Sequence, residues 1–164
     1  MQDVLGAIDK IIREHSAGLE TVRGCEKAAD SLAKLERHWI PGIPVSPVDE
    51  VRQLQELLTT IHRDLSWHMQ FEEEEFLPTI TKYAAEIVVR GLCLQHAAIL
   101  ESITKLREIV PDLVTESMDR GELMVAQRRI KDKLDDIRRL LEEHARNAEM
   151  ITSLARDVIE SQTT

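Results

Sequence analysis

A helical period runs through nearly the whole of this chain, and it fixes the fold class before any chemistry is considered. Apolar residues recur three or four positions apart in four long stretches. The first reads Val4, Ile8, Ile11, His15, Leu19, Val22, and the second Leu54, Leu58, Ile61, Leu65, His68, Glu72. The third reads Ala85, Val89, Leu92, His96, Leu100, Ile103, and the fourth Ile130, Leu134, Ile137, Leu141, His144, Ala148, Ile151. Few residues interrupt these rows: the 164-residue chain holds 6 Gly, 5 Pro, 2 Trp, 1 Tyr and 2 Phe. A sandwich or barrel needs turn formers at every hairpin and favours aromatics in its strands, so that composition argues against one.

The densest set of breakers is Pro41-Gly42-Ile43-Pro44-Val45-Ser46-Pro47, whose prolines cannot donate helical hydrogen bonds. Softer breaks lie at Pro78–Tyr83 and between Pro111 and Gly121. These predict four helices, roughly 2–37, 48–82, 84–110 and 117–160, with Ser46 capping the second and Pro47 in its first turn. Short connections make the expected architecture all-α, an antiparallel up-down-up-down four-helix bundle. It forms one domain over 1–164, with 161–164 as a frayed tail.

Charge and cysteine usage narrow the functional classes. A net charge of −9 gives no electrostatic footprint for nucleic acid or an anionic membrane. The charge-free stretch Gly91–Leu100 is about half a membrane span. Two cysteines, Cys25 and Cys93, make no disulfide framework and read as small packing residues. The opening Met-Gln-Asp-Val-Leu-Gly lacks the basic start and apolar run of a signal peptide, so a reducing cytoplasm is the expected compartment. Met69, Met118, Met124 and Met150 read as packing residues.

A histidine interrupts each apolar row near its middle. In an antiparallel hairpin, residues equidistant from the turn lie at one height. The midpoint of 15 and 68 falls in the Pro41–Pro47 loop, that of 68 and 96 in the second break, and that of 96 and 144 beside Gly121. The four imidazoles are therefore expected at one level of the core. Glu72, four residues after His68, projects from the same face. A buried carboxylate without a cationic partner is costly, so a metal site on these residues follows. Glu149 stands five residues after His144, about 140° off-face on an ideal helix, and would reach the core only through a π-bulge. His38 and His62 lie off the rows and read as surface or boundary residues. Nitrogen and oxygen donors without paired cysteines suit non-haem iron or manganese.

The segment His68-Met69-Gln70-Phe71-Glu72-Glu73-Glu74-Glu75-Phe76-Leu77-Pro78 resembles the second-helix motif of hemerythrin-like HHE cation-binding proteins. Ile11-Ile12-Arg13-Glu14-His15 is similar to the first-helix signature, Gln95-His96 stands where the third-helix histidine belongs, and His144 with Glu149 resembles the fourth-helix motif. The resemblance implies a non-haem diiron centre, with His15, His68, His96 and His144 as terminal ligands and Glu72 and Glu149 as bridges. It also implies a small-molecule ligand, namely oxygen, nitric oxide or peroxide. In oxygen-carrying relatives a further histidine follows the third-helix one by four residues; here that position is Leu100. Either Tyr83, Glu75 or water completes the second iron, or the centre is mononuclear. Binding or sensing of oxygen is the expected function; a redox enzyme for peroxide or nitric oxide, and an iron store or donor, are the competing expectations.

Overall fold

The structure, a computed structural model, describes residues 2–43, 45–81, 86–113 and 117–161. Helix α1 spans Gln2–Arg37 and α2 spans Val48–Phe71. The second rod then continues through a π-helical segment, Glu72–Phe76, into the short α3, Leu77–Ile80. The last two rods are α4, Glu86–Leu113, and α5, Arg120–Ser161. Each long helix packs chiefly against two others: α1 on α2 and α5, and α4 on the same pair. That square arrangement is the helical bundle the periodicity predicts.

The helix ends follow local chemistry. Asp119 and Glu122 form a reciprocal capping box at the start of α5: each backbone N–H donates to the other's carboxylate at 2.9 Å. At the start of α2 the capping position is Pro47 rather than Ser46, and no side chain caps it. Gly42 turns the first connection with φ of 83°, a left-handed conformation that side chains disfavour. Val45 and Met118 exchange backbone hydrogen bonds of 3.4 and 3.2 Å, tying the first loop to the approach to α5. Pro111 sits inside the last turns of α4, so the third break begins later than the proline suggests.

The core divides in two. The larger apolar cluster runs from the loop-tied end and includes Leu54, Leu58, Ile61, Ile99, Ile103, Ile130 and Leu134. The smaller includes Ile8, Ile11, Phe76, Leu77, Leu92, Ala148 and Ile151. Between them lies a layer of buried polar residues. Met69 and Met118 are buried as expected, but Met124 and Met150 are exposed, because they fall outside the inward row of α5.

Helix α4 is more apolar than the count of its charges suggests. Glu86–Asp112 is long and apolar enough by composition to cross a membrane, with a mean hydropathy of 1.3, because Ile87 and Leu94 face outward while Leu92, Ile99 and Ile103 face inward. One such helix within a bundle is weak ground for a membrane span, since core helices meet the same criterion.

Candidate metal centre

The polar layer consists of His15, His68, His96, His144 and Glu72, all buried. Each long rod contributes one histidine from the middle of its inner row, as the hinge symmetry predicts. Edge-to-face ring pairs link them: His15 lies 4.7 Å from His68 and 4.8 Å from His144 between centroids, and His96 lies 4.6 Å from His144.

Glu72 is the hub, only 1% exposed. Its Oε1 lies 3.3 Å from His15 Nε2 and 3.4 Å from His68 Nε2. Its Oε2 lies 2.8 Å from His96 Nε2 and 3.5 Å from His144 Nε2. The ligating atoms of His15, His68, Glu72 and His144 all fall within 4.8 Å of one another. Burial pushes the Glu72 carboxyl upward, but hydrogen bonding from His144, His15, His68 and His96 outweighs it and leaves the pKa far below the ordinary range. The carboxylate is therefore ionised.

Two further carboxylates orient the rings. Glu14 Oε2 accepts a hydrogen bond from His68 Nδ1 at 2.7 Å, and Glu73 Oε1 accepts one from His96 Nδ1 at 2.7 Å. With the ring proton on Nδ1, the Nε2 lone pair of each histidine points at the Glu72 carboxylate. A lone pair against an anion is repulsive unless a cation, proton or metal, stands between them. His15 Nε2 and His144 Nε2 face each other at 3.1 Å, close enough for one ring to donate to the other. His68 Nε2 and Glu72 Oε1 are buried without a hydrogen-bond partner. Those atoms are the ones a metal ion would take, and four imidazole nitrogens with a carboxylate suit iron, manganese or zinc. The residues fit a cation.

The protonation pattern is uneven across the layer. Burial would lower the His68 pKa, but Glu72 and then Glu14 outweigh it and raise it. His144 moves the other way: burial lowers its pKa, Glu72 offsets part of this, and His96 and His15 add to the lowering.

The remaining expectations fare differently. Glu149 is not brought to the layer: it is exposed, and α5 passes through it as a regular α-helix. With no bulge after His144, a five-residue step carries the side chain off the inner face. The π-helical distortion lies instead at Glu72–Phe76, on the rod that carries the hub carboxylate. Its wider turn sets Glu73 beside His96, a contact that helical period alone does not reveal. The only sequence signal for it was proximity to Glu72. Glu75 is exposed and is not part of the group of ligating atoms, and Tyr83 lies outside the described residues. Leu100 is half-buried against the larger apolar cluster. Cys93 packs against the smaller cluster and Cys25 lies within the larger one. His38 is exposed and His62 half-buried beside Arg107, so neither belongs to the layer.

A family comparison decides what this layer belongs to: the hemerythrin HHE cation-binding domain matches residues 6–153, nearly the whole chain. The chain belongs to the hemerythrin HHE family. Its histidines and Glu72 all fall within the matched span, as does the outlying Glu149. No curated protein and no solved structure matches the chain. Relative to the two-bridge centre that the sequence resemblance implies, a single buried carboxylate, Glu72, is gathered with the histidines among the described residues.

Proposed function

We propose that the protein holds non-haem iron on His15, His68, Glu72, His96 and His144, and uses it to bind or sense oxygen or a related small molecule. The observation that carries this reading is the convergence of four inward Nε2 atoms on an ionised, buried Glu72, with His68 Nε2 and Glu72 Oε1 lacking a hydrogen-bond partner, an arrangement that a metal cation at its centre would satisfy. The ligating atoms of His15, His68, Glu72 and His144 lie close enough to hold one ion, with His96 beside them on Glu72 Oε2; a second ion would need the bridge that Glu149 does not provide. Iron bound there would supply a redox-active Lewis acid. Glu14 and Glu73 keep the protons of His68 and His96 on Nδ1, so that both Nε2 atoms stay available. The apolar clusters above and below exclude bulk water from the layer.

The test is metal content and colour. The protein produced with iron is expected to hold about one iron per chain, with a visible spectrum that changes on adding oxygen or nitric oxide and reverts on its removal. Less than about one tenth of an iron per chain under replete conditions refutes the reading, and two irons per chain refute the single-ion count. Glu72→Ala is expected to abolish iron binding while His62→Ala preserves it; equal loss in both contradicts the assignment. Sustained turnover of peroxide would favour the enzymatic reading over binding or sensing.

A further inference from the structure

The polar layer is sealed above and below by apolar side chains, so a ligand must arrive from the side. A cavity of about 330 Å³ opens between α1 and α2, and its walls include both His68 and Glu14. We propose that this crease is the port through which small uncharged molecules reach the histidine layer, with Glu14 at its inner end. The proposal rests on the reading of that layer as a ligand-binding metal centre.

The chemistry of the walls selects the traveller. Ala17, Gly18, Ile61, Leu65 and Phe71 give the crease an apolar lining. Among the described lining residues the one fixed cation is Lys10, and it is already engaged: its Nζ lies 3.7 Å from the centroid of the Phe71 ring and 3.9 Å from Glu14 Oε1. Glu14 and Asp64 put two carboxylates on the same walls. An anion entering the crease meets negative charge and no free cation, whereas a neutral molecule meets apolar surface at little desolvation cost. Oxygen and nitric oxide are of that kind; nitrite and other anions are not.

The inner end is a side chain that can move. Glu14 is 37% exposed and held to the layer by its bond from His68 Nδ1. Rotation of a partly exposed side chain takes picoseconds to nanoseconds, so it opens the last step without a change of fold. Beside it, a Cβ on Gly18 would stand 3.1 Å from Leu65 Cδ2, so the two helices are already in close contact next to the opening. A bulky residue on the outer part of the wall would therefore close the crease without help from helix movement.

Ala17 supplies that position, because it lines the crease and is exposed. Ala17→Phe is expected to fill the opening without touching the core. The first measurement uses the full chain without iron: under xenon pressure, NMR shifts are expected at Ala17 and Leu65 in the wild type, and at Leu65 they are expected to vanish in Ala17→Phe. The second uses the iron-loaded chain: nitric oxide association is expected to slow by about tenfold or more, with dissociation slowed alike and the equilibrium affinity unchanged. Leu94→Phe, on the outer face of α4 where Leu94 is 73% exposed, serves as the control and is expected to change neither. Absence of xenon shifts at Ala17 and Leu65, or unchanged association in Ala17→Phe, overturns the port. Failure to bind iron removes the functional reading instead, and the xenon measurement still judges the cavity.

Discussion

Replacing Glu14 or Glu73 by alanine removes a carboxylate that touches no ion directly, and the structure sets the size of the effect. Each accepts one hydrogen bond of 2.7 Å from an imidazole Nδ1. A hydrogen bond to a charged group contributes about 1.5–3 kcal/mol. The two side chains are 37% and 43% exposed, so solvent screening brings this down to roughly 1–1.5 kcal/mol. At about 1.4 kcal/mol per factor of ten, each substitution is expected to weaken metal binding about five- to twelvefold. Glu14→Gln and Glu73→Gln, which keep a neutral acceptor, should fall between the wild type and alanine. The assay is anaerobic competition for Fe(II) or Co(II) against a chromophoric chelator. Glu75→Ala is the control, since it removes the same charge from the same π-helical segment but is exposed and outside the layer; its effect should stay below about twofold. If Glu14→Ala and Glu73→Ala also stay within twofold, or if Glu75→Ala weakens binding as much as they do, the orienting role is refuted.

Metal uptake should release protons near neutral pH, because the raised pKa of His68 keeps its imidazole protonated above the ordinary 6.5 and the ion must displace that proton. Affinity should therefore rise with pH through that raised pKa and level off above it, seen by calorimetry in buffers of different ionisation enthalpy; a flat profile from pH 6 to 8 would contradict it. Burial pushes the Cys25 thiol up to about 12, while Cys93 is half-buried and raised by burial and Glu73. A disulfide reagent at pH 8 should thus modify Cys93 slowly and Cys25 only after unfolding, and rapid reaction of both in the folded chain would be the contrary result. Leu54→Ala, at a fully buried position, should cost about 2–5 kcal/mol in urea unfolding. Leu54 lies about 21 Å along its helix from His68, so metal affinity should be unchanged, and a parallel loss of affinity would show the two regions to be coupled.

The sequence determined much of this protein because its decisive signals are local or follow from chain symmetry. The period of the apolar rows specified helices, and the few prolines and glycines specified the hinges. The hinges in turn set His15, His68, His96 and His144 at one height, where the structure has them. Glu72 was legible because a four-residue step on a helix returns to the same face.

Tertiary structure decided what depends on side chains meeting across helices. Glu149 was a matter of whether α5 distorts after His144, and it does not; the distortion belongs to Glu72–Phe76. That segment gave Glu73 to His96, 23 residues away in the chain, and the pairing of α1 with α2 gave Glu14 to His68, 54 residues away. The crease beside Ala17 is formed where side chains of two helices meet, Glu14 and Ala17 from α1 with Leu65 and His68 from α2. Periodicity states which face of a helix is inward, but the partner of an inward side chain is fixed by packing between elements, and that information is not local.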